Sequence, residues 1–212
     1  MISSEFKKRF FTSIVLLIFL LIMFLNKLFL SSILILISII MIYEFFKLRT
    51  NTFLRLSIII YLFFFLFFVI FGYKDFFNST QNKLIFFYPI FISILSDIGG
   101  YFFGKIFGGK KLSKISPNKT ITGSLGAFFL SLSLVPFFFS YFNFFNIFQL
   151  SIFTIFLSFI SQSGDLFISY LKRISNNKDT GKLLPGHGGL LDRFDGILFS
   201  LPIGFYIFYI FI

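Results

Sequence analysis

The chain has no cysteine, one histidine and only eight acidic side chains among its 212 residues. Without cysteine there can be no disulfide, no iron–sulfur cluster, no thiolate zinc site and no cysteine nucleophile. A single histidine also excludes a multi-histidine metal site within one chain. The remaining candidates for metal ligands are carboxylate oxygens, which suit a hard cation such as Mg²⁺.

Charged residues of either sign are scarce, at 13% of the chain, whereas 57% of the residues are hydrophobic. A soluble domain of this length could not bury so much apolar surface. The sequence therefore predicts an all-α, polytopic transmembrane helical bundle with no soluble domain, no linker and no repeat. Pro136 is expected to kink the fifth span, and residues 44–55 are expected to form a polar loop. The seven apolar stretches that predict spans are 10–25, 28–43, 56–72, 84–107, 121–141, 147–171 and 197–212.

Basic residues account for the net charge of +11, and they collect in alternate loops. With seven spans, 16 of the 19 lysines and arginines lie on one side, and only Lys27, Lys74 and Lys83 lie on the other. This positive-inside bias predicts that the N-terminus and the basic loops face the cytoplasm. The charge then suits an anionic leaflet or phosphates, and not nucleic acid.

Two carboxylates, Asp97 and Asp165, fall inside predicted spans. A charged side chain at membrane depth is costly and normally faces a cavity or a partner. By the helical rise, each acid would lie on the order of 10–12 Å below the cytoplasmic edge, so the two could share one pocket. The alternative is a helix–helix hydrogen bond, aided by small residues in these spans. Those small residues are Gly99, Gly100, Gly104 and Gly164.

The longest polar run, residues 169–196, combines acids, bases and a glycine-rich turn at 185–189. Carboxylates suit Mg²⁺, and arginine can grip phosphate oxygens with two parallel hydrogen bonds. The turn can bring backbone N–H groups close to an anion. Together these features favour phosphoryl or nucleotidyl transfer. The alternative is a juxtamembrane loop that binds lipid headgroups, in which Asp195 only caps the last helix.

Seven short elements of the sequence carry a resemblance to a known family: Ser169-Tyr-Leu-Lys172-Arg173, Lys178-Asp179, Pro185-Gly-His187-Gly188-Gly189, Asp192-Arg193-Phe-Asp195, Gly164-Asp165-Leu166, Ser116-Pro-Asn-Lys119-Thr120 and Asp97-Ile-Gly-Gly-Tyr101. They resemble the signature of the phosphatidate cytidylyltransferases, and the spacing matches throughout residues 169–195. The resemblance extends from Asp97 to the C-terminus. In two respects the chain departs from that family: Thr122 stands where a glutamate is usual, and the N-terminal half looks shorter.

The resemblance implies an enzyme of the bacterial inner (plasma) membrane that converts CTP and phosphatidic acid into CDP-diacylglycerol and pyrophosphate. It also implies dependence on Mg²⁺, contact with membrane lipid, homodimers and no nucleic-acid partner. The active site and the N-terminus would be cytoplasmic. Residues 1–96 would then be membrane spans for scaffolding and oligomer contacts. Residues 97–212 would be the catalytic membrane domain, with the signature at 169–195.

The candidate site residues fall into three groups. Asp165 and Asp192 are expected to bind the metal, because the chain can fold back between them and a cation would offset the cost of burying both charges. His187 is expected to orient phosphate more than to move protons, and Asp179 and Asp195 to brace Lys178 and Arg193. The substrate-binding group is Asp97, Ser116, Thr120, Ser169, Gly188 and Gly189. The catalytic group is Lys119, Lys172, Arg173, Lys178, Asp179, His187, Arg193 and Asp195.

Two other functions are compatible with parts of the sequence. A carrier or channel could use Asp97 and Asp165 for ions, but it would be expected to show two corresponding halves with broken helices, and none is seen. A CDP-alcohol phosphatidyltransferase would need an Asp-Gly-x2-Ala-Arg element, which this sequence lacks.

Overall fold

The structure is a computed structural model that describes residues 15, 18, 21–22, 24–48, 50–76, 79–177, 179–181, 183 and 188–211. The regular elements within these residues are helices, and Lys111 and Thr120 form an isolated antiparallel bridge. The predicted all-α class is confirmed. The helices are α1 (Lys27–Lys47), α2 (Thr52–Phe76), α3 (Thr80–Phe107), α4 (Ile121–Leu132), α5 (Val135–Phe138), α6 (Ile147–Ile174) and α7 (Leu191–Phe211).

Five helical segments in the described part of the chain are long and apolar enough to cross a membrane. They are Leu28–Lys47, Thr80–Phe107, Ile121–Phe138, Ile147–Ile174 and Leu191–Phe211. A further apolar stretch, Thr52–Phe65, is shorter. The chain is therefore a polytopic membrane protein. The count of seven spans stays a prediction, because most of the first expected span, 10–25, lies outside the described residues.

Several helices continue further into polar sequence than the hydropathy pattern predicts. Glu44, expected in a loop, lies in the last turn of α1, and α2 already begins at Thr52. The last helix begins at Leu191, so Asp192 and Asp195 both lie inside it. The alternative in which Asp195 caps this helix is wrong, because a capping residue precedes the first turn. Hydropathy marks the limits of the apolar stretch, whereas a helix continues as long as its polar side chains find partners.

The expected kink at Pro136 is an interruption of the helix. α4 ends at Leu132, and α5 begins at Val135 with the proline in its first turn. Proline has no N–H to donate and is favoured at that position, where no helical acceptor is available.

The chain divides into two compact units. The first unit comprises Met1–Asn78 and Leu171–Phe194, and the second comprises Ser79–Tyr170 and Asp195–Ile212. These units do not follow the functional division at residue 96, which stays a prediction. In the first unit α1 packs against α2 and buries Met41, Phe45 and Leu62, while Leu36 and Ile39 are exposed. Exposed apolar side chains of this kind suit lipid as the surrounding solvent.

The second unit has a core of aromatic rings around Tyr88, which is fully buried. The ring of Tyr88 meets Phe142 edge to face at 5.2 Å and lies 4.9 Å from Phe138, measured between centroids. Its hydroxyl group hydrogen-bonds with the hydroxyl of Thr154 at 2.6 Å. The phenol thus has both an apolar packing partner and a polar one, as a buried tyrosine requires.

Glycines bring α3 and α4 into backbone contact within the second unit. A Cβ atom at Gly99 would lie 2.6 Å from the carbonyl oxygen of Gly126, and one at Gly123 would lie 2.6 Å from that of Gly100. Neither position can carry a larger side chain without moving a helix. Small residues therefore set this helix crossing, as is common where lipid provides no hydrophobic drive for association.

Hydroxyl groups also link helices of the second unit. Ser93 hydrogen-bonds with Ser200 at 2.7 Å, and Ser158 donates to Ser96 at 3.1 Å. Ser93 additionally donates to the carbonyl oxygen of Pro89 one turn earlier in its own helix, at 3.0 Å. These hydroxyls are buried and partnered, which is the requirement for polar groups away from water.

Candidate active site

Most of the described candidate residues belong to two clusters of charged side chains, one in each unit. The Asp165 cluster, in the second unit, consists of Asp97, Lys119, Asp165, Ser169 and Asp195. The Asp192 cluster, in the first unit, consists of Glu44, Lys172, Thr180, Gly189 and Asp192.

Lys119 is positioned by a short hairpin-like loop before α4. The backbone amide of Leu112 donates to the carbonyl of Lys119 at 2.8 Å, and that of Ile121 donates to the carbonyl of Lys110 at 3.0 Å. Thr120 then caps α4, because its hydroxyl oxygen accepts from the amide of Gly123 at 3.0 Å. Hydrogen bonds on both sides of Lys119 therefore fix its backbone position.

Thr122, which departs from the family pattern, holds the start of this loop. Its hydroxyl donates to the carbonyl oxygen of Gly108 and lies 3.1 Å from the hydroxyl oxygen of Thr120. The carbonyl of Ser116 accepts from the amide of Lys119 at 3.1 Å, which closes a turn. A neutral side chain at position 122 thus has a structural role. The substrate contacts expected of Ser116 and Thr120 stay predictions.

Asp165 is the centre of the cluster in the second unit. Its Oδ2 forms an ion pair with the ammonium of Lys119, and its Oδ1 accepts a hydrogen bond from Ser169 at 3.4 Å. The Lys119 and Asp165 side chains are 29% and 21% exposed, so a solute can reach both. Residues that are 46 positions apart in the chain meet here, and both were candidates from the sequence.

Two more carboxylates belong to this cluster, and Asp195 links them to Asp165. Asp195, which is buried, lies close enough to the carboxylates of Asp165 and Asp97 for their charges to interact. Gly164 allows this approach, because a Cβ atom there would lie 2.7 Å from the carbonyl oxygen of Asp195. The cluster therefore holds three acidic side chains against one basic side chain.

Asp192 is the centre of the cluster in the first unit, and protein donors occupy both of its oxygens. Lys172, in the last turn of α6, donates to Oδ1 at 2.7 Å. Oδ2 accepts from the amide of Thr180 at 2.9 Å, from its hydroxyl at 3.0 Å and from the amide of Gly189 at 3.0 Å. The Lys172 and Asp192 side chains are only 13% and 7% exposed. Such a carboxylate orders the chain around it.

The glycine turn packs directly on Asp192. Gly188 has a φ of +82°, and a Cβ atom there would lie 2.9 Å from Oδ2 of Asp192. Both the backbone conformation and the space therefore favour glycine. The amide of Gly189, expected to face a substrate phosphate, donates to Asp192 in this structure. Substrate binding by Gly188 and Gly189 stays a prediction.

Glu44 belongs to this cluster and was not among the candidate residues. Its Oε1 accepts from the amide of Leu190 at 2.9 Å, and its Oε2 accepts from the amide of Leu191 at 2.8 Å and the hydroxyl of Thr180 at 3.2 Å. Its exposed fraction is 3%. One feature of the sequence could have indicated Glu44. An acid in the last turn of a helix is unfavourable next to the negative end of the helix dipole, so its presence there indicates a stabilising partner elsewhere in the chain.

The remaining candidates are exposed or lie outside the described residues. Arg173, Asp179 and Arg193 are exposed at the surface of the first unit. Lys178 and His187 lie outside the described residues, so their expected roles stay predictions.

The described residues include no group of three or more His, Cys, Asp or Glu side chains with the geometry to hold a metal ion. A cation at Asp192 would have to displace one of its four donors. At the Asp165 cluster the donor chemistry fits better, because hard oxygens exceed cations there and metal binding releases protons from such ligands. The expected metal-binding roles of Asp165 and Asp192 stay predictions.

Comparison with known proteins adds a family assignment. A family model described as the cytidylyltransferase family matches residues 50–211. This match includes every candidate residue predicted from the sequence, whereas Glu44 lies before it.

Several curated proteins named phosphatidate cytidylyltransferase are similar to the chain. One from Staphylococcus aureus is 40% identical over 136 residues, covering 62% of this chain and 52% of the relative. One from Helicobacter pylori is 36% identical over 135 residues, covering 63% and 49%. One from Rickettsia typhi is 40% identical over 139 residues, covering 61% of each. The matched region thus spans about half of the length of these relatives, and up to 61%.

Proposed function

Because the chain belongs to the cytidylyltransferase family, we propose that it transfers a cytidylyl group from CTP to phosphatidic acid. The products would be CDP-diacylglycerol and pyrophosphate. The observation that carries the proposal is the Asp165 cluster. It joins Asp97, Lys119 and Asp165, which come from three separate sequence elements of the family signature, at one place.

The reaction is an in-line displacement at phosphorus. A phosphate oxygen of phosphatidic acid forms a bond to the α-phosphorus of CTP. The bond from that phosphorus to the bridging oxygen of the β-phosphate breaks, and pyrophosphate leaves with the electron pair. Little covalent chemistry is required of the protein, so positioning and charge stabilisation supply the rate enhancement.

The basic side chains would hold the phosphates in place. Lys119 and Lys172 each face a carboxylate, which fixes the position of the ammonium before substrate arrives. Arg173 and Arg193 are exposed and can reach a solute. Arginine at such a site grips a phosphate with two parallel hydrogen bonds. We expect His187 to orient a phosphate, since a phosphate monoester is largely ionised near neutral pH and needs no general base.

We propose Mg²⁺ as the cofactor, with Asp165 as a ligand and Asp195 and Asp97 as the acids beside it. When bound, the cation would neutralise charge on the phosphates of CTP. Asp165→Asn keeps the shape of the side chain and removes its charge, so the variant should stay folded and lose the stabilisation that Mg²⁺ gives the wild type against heat. Turnover should fall as well. Wild-type turnover and an unchanged Mg²⁺-induced shift in melting temperature would remove Asp165 from the metal site.

The activity is tested with purified protein, labelled CTP and phosphatidic acid in mixed micelles with Mg²⁺. We expect equal amounts of CDP-diacylglycerol and pyrophosphate, and no product when diacylglycerol replaces phosphatidic acid. Lys119→Gln should lower turnover strongly, whereas Lys110→Gln, at an exposed lysine of the same loop, should not. Absence of CDP-diacylglycerol from folded wild-type protein would refute the proposal. Ion flux through proteoliposomes would then favour a carrier.

We propose that the protein lies in the bacterial inner membrane with its basic loops in the cytoplasm. The bias of basic residues supports this orientation. Because the chain has no cysteine, single cysteines at Lys111 and Asn177 are clean probes. Both should react with an impermeant thiol reagent only after the membrane is opened. Reaction of the Asn177 probe in intact spheroplasts would overturn the orientation.

We also propose a homodimer, supported by the family resemblance alone. Light scattering of the detergent-solubilised protein, corrected for bound detergent, would give the mass. A monomer that is fully active in the cytidylyl transfer assay would contradict this expectation.

A further inference from the structure

The position of Glu44 has no explanation within its own helix. It lies in the last turn of α1, where a negative charge faces the negative end of the helix dipole. It is also buried, and a buried carboxylate is costly unless it is paired or hydrogen-bonded. Neither of the two ion pairs found among the described side chains includes Glu44. Its stabilisation must come from elsewhere in the first unit.

That stabilisation comes from the start of α7. Leu191 is the first residue of α7, and Leu190 precedes it. Both backbone amides donate to the carboxylate of Glu44, at 2.8 and 2.9 Å. The first amides of a helix have no partner inside the helix and carry the positive end of its dipole, so a carboxylate satisfies both needs. Glu44 thus acts as an N-terminal cap that comes from 146 and 147 positions earlier in the chain.

The glycines of the segment indicate how closely the chain fits around this carboxylate. A Cβ atom at Gly181 would lie 2.6 Å from Oε1 of Glu44, and one at Gly189 would lie 2.6 Å from Oε2. Thr180 connects the two acids, because its hydroxyl is within hydrogen-bonding distance of both Glu44 and Asp192. The amide of Gly189, next to Leu190, donates to Asp192. Glu44 and Asp192 therefore accept hydrogen bonds from the same short set of residues, Thr180 and 189–191.

We propose that Glu44 is a positioning residue that fixes the start of α7 and thereby orients Asp192 and the pair it forms with Lys172. Glu44 lies before the first residue matched by the family, so no comparison assigns it a role. The expected effect of Glu44 on catalysis rests on the proposed function. Its expected effect on the hydrogen bonds at the start of α7 does not.

The first test measures the amides directly. Glu44→Gln keeps the shape but leaves one acceptor oxygen and turns an amide group towards a backbone donor. By the usual strength of hydrogen bonds to charged groups, hydrogen exchange at Leu190 and Leu191 should become about 10- to 100-fold faster. Lys47→Gln removes a charge from an exposed side chain of the same turn and should leave this exchange unchanged. Unchanged exchange in Glu44→Gln would overturn the proposal.

The second test separates positioning from stability. In Glu44→Gln we expect kcat to fall about tenfold while KM for CTP stays close to wild type, because the loss concerns orientation in the transition state. A stability defect alone would disappear at low temperature, and recovery of wild-type kcat there would overturn the positioning role. If Glu44→Gln does not fold, Glu44→Asp is measured instead: it keeps the charge but is one methylene too short to reach both amides. Exchange and kcat should then change in the same direction.

The two proposals fail in different ways. If the wild-type protein makes no CDP-diacylglycerol, the proposed function fails, and hydrogen exchange still decides whether Glu44 holds the start of α7. If the wild type is active and Glu44→Gln is equally active despite faster exchange, the contact is real and the positioning role is refuted.

Discussion

Replacing Asp192 by asparagine keeps the shape of the side chain and removes its charge. The carboxylate accepts four hydrogen bonds, two of them from backbone amides. An asparagine has one acceptor oxygen, which can keep the amides of Thr180 and Gly189. Its NH₂ group then faces the ammonium of Lys172, donor against donor. The main loss is therefore the partner of Lys172.

The size of this loss follows from how little water reaches the pair. The Lys172 and Asp192 side chains are 13% and 7% exposed. Removing one partner of a buried ion pair costs about 3–5 kcal/mol, and a hydrogen bond to a charged group contributes about 1.5–3 kcal/mol. Because Lys172 keeps some contact with water, we expect the free energy of unfolding to fall by about 3 kcal/mol, at the lower end of the range for buried pairs.

A double-mutant cycle measures the interaction itself. Unfolding by SDS in mixed micelles is followed by far-UV circular dichroism, since the chain has no tryptophan. If the pair interacts as described, Asp192→Asn together with Lys172→Met should cost about 2 kcal/mol less than the sum of the single changes. Asp179→Asn, at an exposed acid of the same segment, is the control and should change stability by less than about 0.5 kcal/mol. Additive costs would refute the interaction.

Three further predictions concern single side chains. Gly126→Ala should lower the free energy of unfolding by about 1–3 kcal/mol, because the added Cβ overlaps Phe103. The control Leu125→Ala, at an exposed position of α4, should lower the free energy of unfolding less. Arg193→Lys should lower kcat, because an ammonium cannot reproduce the planar two-pronged grip of a guanidinium; wild-type kcat at saturating substrates would contradict this. His187→Asn should keep measurable turnover with a flat pH–rate profile, and complete loss of activity in a folded variant would count against an orienting role.

The helical class and the main charged residues could be predicted from the sequence. Apolar composition excluded a soluble fold, and the depth of Asp97 and Asp165 in their spans indicated polar partners. The structure brings both acids near Asp195 and pairs Asp165 with Lys119. These inferences hold because side-chain type and helical rise determine them locally.

The part of the site that could not be predicted from the sequence depends on backbone groups. Every non-proline residue has the same N–H, so no sequence pattern marks Leu190 and Leu191 as the partners of Glu44. For a related reason, the apolar stretch predicts a start of the last helix at residue 197, six residues after its start at Leu191 in the structure. Hydropathy reports apolar content, whereas Asp192 and Asp195 remain helical because they have polar partners. Long-range hydrogen bonds of this kind require the folded chain.

The buried hydroxyl groups of the second unit bear on how such a chain enters a bilayer. Ser93 in α3 and Ser200 in α7 are 107 positions apart. The helix that carries Ser93 is therefore inserted before the ribosome has synthesised Ser200. Until then, Ser93 donates to Pro89 and Thr154 donates to Leu150, each to a carbonyl of its own helix. The hydroxyl donors of Ser93 and Thr154 are therefore satisfied within their own helices before a neighbouring helix arrives. Biosynthesis can therefore separate insertion from assembly: each helix enters the bilayer alone and finds its neighbour later.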